Sequence, residues 1–285
     1  MDSAETARAE RLDQYVTRQV PGLSRSSAAK LIETGKVSVN GEVQRKSGYR
    51  VKPEDKIDVG YDVAAAGRVP AIDLSVIYED DDCVVISKPA GVLSHSKGAF
   101  NPEATVATWL SSRVKGMEGE RAGIVHRLDR GTSGVMICAK TPAALAWLQK
   151  QFSQRKMVKE YVAVVSGELD KPEAIIDMPI ERNPKRPQTF RTGAGGKPAV
   201  TAYRVLRTGG GHSLLELKPE TGRTHQLRVH LAKIGHPIAG DELYGGRAAK
   251  RLFLHAKNLT VTLPGRERKT FGAPVPPEFD KELDA

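Results

Sequence analysis

The stretch His126-Arg127-Leu128-Asp129-Arg130-Gly131-Thr132-Ser133-Gly134-Val135-Met136-Ile137-Cys138-Ala139-Lys140 decides how this chain is read. Val135–Ala139 is an unbroken apolar run, the composition of a strand buried on both faces. The residues before it are polar and small, and they follow the apolar approach Gly123-Ile124-Val125. Asp129 therefore falls in a loop at the edge of a core. A carboxylate there is costly unless it is paired. Two readings are open. Asp129 is a turn residue whose side chain caps backbone N–H groups, or it is a functional carboxylate flanked by Arg127 and Arg130. In the second case Gly131, Thr132, Ser133 and Gly134 leave room for a flat ligand.

Outward from this stretch, the chain divides by pattern. Residues 1–10 read as a polar, flexible leader. A compact unit is expected over 11–60. Leu12, Tyr15, Val16 and Val20 fit one helical face. Ser24 starts a second helix that runs to Glu33 and is closed by Gly35. VSVNGEV, residues 37–43, is a hairpin signal, because both residues of an Asn-Gly turn need positive φ; KIDV, 56–59, is one more short strand. Residues 61–72 are small and aperiodic and read as a linker. The second domain, 73–285, opens with two short strands around an acidic turn in SVIYEDDDCVVISKP. A helix is expected over 104–113. Thr141 and Pro142 start another, whose apolar face is Leu145, Leu148 and Phe152. KEYVAVVSG (159–167) and LLELKP (214–219) read as strands, and Thr224–Ile234 as a helix ended by Gly235 and Pro237.

The 285 residues carry a formal net charge of +10, with a pI near 9.6. That suits a polyanionic partner, with solubility charge as the alternative. The excess is clustered: between Glu181 and Arg207, seven basic residues (Arg182, Lys185, Arg186, Arg191, Lys197, Arg204, Arg207) stand against one acid. Three prolines and an adjacent glycine pair make much of this segment read as loop. No apolar run approaches the roughly 18 residues that span a bilayer, and the first residues lack a secretory pattern, so a cytoplasmic protein is expected. Cys83 and Cys138 lie in apolar runs and read as small core residues without a disulfide.

Common cofactor motifs are missing. GAGGKP, 193–198, lacks the spacing and hydroxyl of a phosphate loop, and no GxGxxG or GxSxG occurs. His225 and His230, five apart, would fall on different sides of a helix and read as structural rather than as a metal pair. No cofactor and no metal are expected.

HRLDRGTSGVMICAK resembles the signature HRLDxxTSGxxxxAK of the RluA-type ribosomal pseudouridine synthases. KEYVAVVSG resembles that family's tyrosine strand, and ETGRTHQLRVHLAKIGHPIAGDELYG, 220–245, its third motif. SRSSAAKLIETGKVSVNGEV resembles an S4 RNA-binding domain. Together the resemblance covers about residues 11–270. It implies an α+β protein: a small N-terminal S4-like module of helices plus hairpin, then a mixed, mainly antiparallel central sheet flanked by helices. It implies an isomerase that converts uridine to pseudouridine with no external reagent, and a catalytic set of Asp129, Tyr161 and Arg228. Arg228 would keep Asp129 ionised, and Tyr161 would stack on the uracil and help remove its C5 proton. Arg127 would fill the space left by an extruded base. Further RNA contacts are expected from His126, Arg130, Thr132, Arg223, His225 and Gln226, and from Arg25 and Lys30 in the S4-like module. The expected partner is RNA, 23S-type rRNA ahead of tRNA, bound by a monomer. The competing reading is an S4-type RNA-binding protein without catalysis.

Overall fold

A computed structural model describes residues 10–20, 23–60, 70–96, 103–117, 119 and 121–284. They belong to two compact units, one reaching residue 72 and the other built from 73–95 and 105 onward. The expected leader and most of the expected linker lie outside the described residues. Among the described residues no helix is long and apolar enough to cross a membrane.

The first unit packs α1 (Leu12–Gln19) and α2 (Arg25–Glu33) against a sheet of β1 (Val37–Val39), β2 (Glu42–Val43) and β3 (Ile57–Val59), in the order β2-β1-β3. The Ser24 hydroxyl accepts the Ser27 N–H at 3.2 Å and so caps α2. Asn40 and Gly41 take φ of 55° and 85°, the turn that matches strand twist in a two-residue hairpin. Leu12, Val16, Ala28 and Ile32 are fully buried between the layers. Asp13 is buried as well and accepts hydrogen bonds from Arg11 and Arg25, each at 3.0 Å.

The second unit is a nine-stranded mixed sheet. In chain order its strands are β4 (Ser75–Glu79), β5 (Cys83–Lys88), β6 (Ser133–Ala139), β7 (Val158–Ser166), β8 (Glu173–Asp177), β11 (Val200–Gly209), β12 (His212–Pro219), β13 (Leu254–Thr262) and β14 (Arg268–Gly272). The spatial order is β4-β5-β6-β13-β7-β12-β11-β8, with β14 on β13. Among these described strands, β6 and β13 pair in parallel and the remaining pairs are antiparallel. β6 is buried along its whole length, as the apolar run required. Helices α3 (Val106–Leu110), α4 (Pro142–Ser153), α5 (Gln226–Lys233) and α6 (Glu278–Leu283) complete the unit. Leu227 and Leu231 of α5, and Phe279 and Leu283 of α6, join the core formed with β7, β12 and β13. Each such side chain contributes roughly 1.5–3 kcal/mol by leaving water.

One expectation about elements needs correction. The helix expected over 104–113 is only Val106–Leu110. Thr105 caps it through the Thr108 N–H, but Ser111 and Ser112 favour local turns over continued helix. The basic segment 181–207 is in large part loop, as expected, and it also carries short strands: β9 (Ile180–Arg182) pairs with β10 (Phe190–Thr192), and β11 follows. Pro184 and Pro187 lie in the β9–β10 connection and Pro198 lies just before β11, so they separate strands and do not interrupt them.

The register across the sheet positions the site. Gly134 on β6 pairs with Ala256 on β13, Ala256 with Tyr161 on β7, and Tyr161 with Leu217 on β12. Tyr161 thus lies level with the start of β6, close behind the Asp129 loop. β12 ends at Pro219, and the chain passes at once through 220–225 into α5.

Candidate active site

Asp129 opens a tight turn closed by its own carbonyl, which accepts the Thr132 N–H at 3.1 Å. Its side chain points elsewhere, so the capping reading does not describe this carboxylate. Buried groups hold the backbone on either side. The Ser94 hydroxyl donates to the Leu128 carbonyl at 2.8 Å and accepts the Leu128 N–H at 3.0 Å. The Lys88 ammonium, fully buried, donates to the carbonyls of Pro89 (2.9 Å), Val92 (2.7 Å) and Arg130 (3.4 Å). Burial pulls Lys88 down to about 7, against the opposing pull of Asp129.

The Asp129 carboxylate faces α5. Its Oδ2 lies 3.4 Å from Arg228 Nη1 and 3.8 Å from His225 Nε2. Arg228 is bound more tightly to a second acid: its Nε and Nη2 each donate to Asp241 at 2.7 Å, a bidentate pair. Side-chain exposure is 12% for Arg228 and 1% for Asp241. Burial would lower the guanidinium, but hydrogen bonds and charge from Asp241, with Asp129 behind them, leave it raised. Arg228 is thus not a surface helix charge but a fixed cation shared by two carboxylates.

His225 is the residue before α5 and takes a left-handed φ of 57°, a conformation that non-glycine residues adopt sparingly. Its Nδ1 lies 2.7 Å from the Tyr244 hydroxyl, which accepts the Phe190 N–H at 2.9 Å. When the Tyr244 hydroxyl donates to Nδ1, the ring proton sits on Nε2 and faces Asp129. Burial lowers His225, opposed by the Asp129 charge.

Asp129, Thr132, Tyr161, Arg228 and the 219–226 loop line a cavity of about 280 Å³. The Tyr161 phenol is raised well above its usual value, by burial and then by the Asp129 charge, so it stays protonated. Thr132 is buried, and Arg127 stands exposed at the rim. Arg223 lines the same cavity and donates from Nε to the Pro198 carbonyl at 3.0 Å. Arg130 is exposed on the loop, its Nη1 3.5 Å from the Gly91 carbonyl.

Two expected RNA contacts have other work. His126 accepts the Ile137 N–H on Nε2 at 3.1 Å and stacks on Phe152 at 4.5 Å. Burial, with Lys159 adding to it, lowers it to about 3, so it lines the cavity as a neutral ring rather than as a phosphate-binding cation. Gln226 is buried; its Oε1 accepts from Thr221 Oγ1 and the Arg223 N–H, and its Nε2 donates to the Val200 carbonyl and Thr201 Oγ1. Its amide holds the 220–225 loop to β11. His230 is structural as read, held by Thr201 Oγ1 and the Met178 carbonyl. Arg25 and Lys30 lie on α2 of the other unit, where Arg25 is partly committed to Asp13.

Sequence reading missed Lys88, Ser94, Asp241 and Tyr244. Asp241 and Tyr244 lay inside the quoted stretch 220–245, but nothing local marks which acid there is buried.

The RNA pseudouridylate synthase family model matches residues 82–233, and the S4 domain model matches 10–57. Ribosomal large subunit pseudouridine synthase D of Haemophilus influenzae is 37% identical over 97% of this chain and 91% of its own length. An uncharacterized RNA pseudouridine synthase of Synechocystis is 38% identical over 96% of this chain and 88% of its own. Among solved structures, human RNA pseudouridylate synthase domain containing 1 is similar with a TM-score of 0.60 at 31% identity, covering 72% of this chain and 85% of that one.

Proposed function

The chain belongs to the RNA pseudouridylate synthase family, and from that premise we propose that it isomerises uridine in large-subunit ribosomal RNA with Asp129 as its essential carboxylate. One observation carries the residue assignment. Asp129 stands at a cavity beside Tyr161, its charge held by Arg228 at 3.4 Å. The relatives named for the ribosomal large subunit, together with the S4 domain, support the choice of RNA.

The reaction breaks the N1–C1′ bond and forms a C5–C1′ bond. The C5 proton is lost and N1 gains one, so no outside reagent enters the balance. A carboxylate serves as a nucleophile at C1′ or at uracil C6, or as a base toward the sugar. Arg228, 3.4 Å away, faces its charge and orients it in each case. Tyr161, protonated and flat, stacks on the uracil; the C5 proton then falls to the carboxylate rather than to the phenol. Extruding the uridine costs a few kcal/mol. Arg127 at the rim takes the vacated place in the stack, since a guanidinium both stacks and hydrogen-bonds.

Purified protein, given protein-free ribosomal RNA and tRNA, should form pseudouridine in the large-subunit RNA. Asp129→Asn should abolish turnover and leave RNA affinity nearly intact. Turnover persisting in that variant would overturn the role of Asp129, and product confined to tRNA would overturn the choice of substrate.

A further inference from the structure

A second cavity, of about 430 Å³, adjoins the one that holds Asp129. The two share Phe152, Lys159, Thr221, Gly222 and Arg223 in their linings. Phe152 has one face against His126 and lines both cavities. Lys159 stands in the same wall. Its ammonium donates to the Thr221 carbonyl at 3.1 Å, which uses one of three donors. The charge beside it is another cation, Arg155, and Arg223 also lines the cavity. A Cβ on Gly222 would still be 3.8 Å from the ammonium, so the backbone there leaves the nitrogen approachable. Burial and Arg155 pull Lys159 down to about 8. A half-buried cation next to another cation is costly; among the described residues no carboxylate pairs with it, and the one acid that lines the second cavity, Glu220, is exposed. An anion between the two cavities supplies the counter-charge.

We propose that the second cavity holds the nucleotide adjoining the target uridine in the RNA strand, and that Lys159 binds the phosphate joining the two. The aromatic edge of Phe152 and the apolar Met157 and Val125 suit a base, and the cations suit its backbone. Recognition of the uridine then extends to a neighbour, through shape and charge. This rests on the proposed function, since it takes the first cavity as the uridine site.

The test is a thermodynamic cycle on binding, with an rRNA fragment that spans the mapped uridine. One change is Lys159→Met. The other is a neutral methylphosphonate at the linkage on either side of the uridine, each with a 2′-deoxy sugar 5′ to it and a matched deoxy control. A lost charge-assisted contact should weaken binding roughly tenfold and flatten the salt dependence by about 0.7 in log–log slope. At one of the two linkages the losses should not add: the variant should bind neutral and charged RNA alike. Additive losses at both linkages would overturn the phosphate contact. So would a Lys159→Met enzyme that loses kcat at unchanged KM and affinity. Removing the base of the neighbour on the side that shows non-additivity should also weaken wild-type binding; no effect would overturn the occupancy of the second cavity. Failure of wild-type protein to form any pseudouridine would instead count against the proposed function, because the cycle is read from binding alone.

Discussion

Asp241 rather than Asp129 makes the tightest contacts to Arg228. A guanidinium held in a bidentate grip by one buried acid cannot swing away, so its remaining Nη1 presents a fixed positive edge to the Asp129 carboxylate. Removing the buried acid leaves an unpaired cation, which typically costs about 3–5 kcal/mol. Asp241→Ala should therefore lower the melting temperature by several degrees and reduce kcat, with a smaller effect on RNA affinity. A variant as stable and active as the wild type would mean that Asp129 alone holds Arg228. The same logic separates His126 from its neighbours. A ring that must accept the Ile137 N–H has to stay neutral, and its lowered value keeps it so.

Among the elements, β6 and β13 matter most, because their parallel pairing hangs the Asp129 loop on the sheet. Gly134 adopts φ of 116°, and a Cβ there would meet the Ala256 carbonyl oxygen at 2.1 Å. No side-chain rotation relieves a clash with backbone. Gly134→Ala should push the two strands apart, destabilise the fold by more than 1 kcal/mol, and shift the turn that carries Asp129. The check is a denaturant melt together with turnover; an unchanged midpoint would show that the strands separate freely there. This requirement was not legible in the sequence. The TSG run read as space for a ligand, whereas the glycine is needed for strand contact. The buried apolar run, the Asn-Gly hairpin and the Thr141-Pro142 helix start were legible, because each follows from chemistry within a few residues. Strands β8, β9, β10 and β11 were not: β8 is completed by β11, remote in sequence, and β9, β10 and the start of β11 lie in a basic, proline-containing segment that reads as loop.

At the level of the molecule, the net charge of +10 bears on RNA affinity more than on specificity, because phosphate contacts position an RNA without reading it. Affinity should fall with salt along a log–log line, by about 0.7 in slope per neutralised phosphate on single strands. Lys30→Ala on the S4-like unit should make that line shallower by about one such step; Arg25, tied to Asp13, is the poorer probe. An unchanged slope would remove Lys30 from the RNA contacts. From the sequence alone came the α+β class, the family and the candidates Asp129, Tyr161 and Arg228, because long motifs and turn chemistry are written in consecutive residues. Only the tertiary structure decided what holds them: the register that sets Tyr161 level with Gly134, Lys88 and Ser94 clamped on the Asp129 loop, Asp241 behind Arg228, and the second cavity beside Lys159. Burial and distance between residues remote in sequence set the cost of a charge, and no local pattern encodes them.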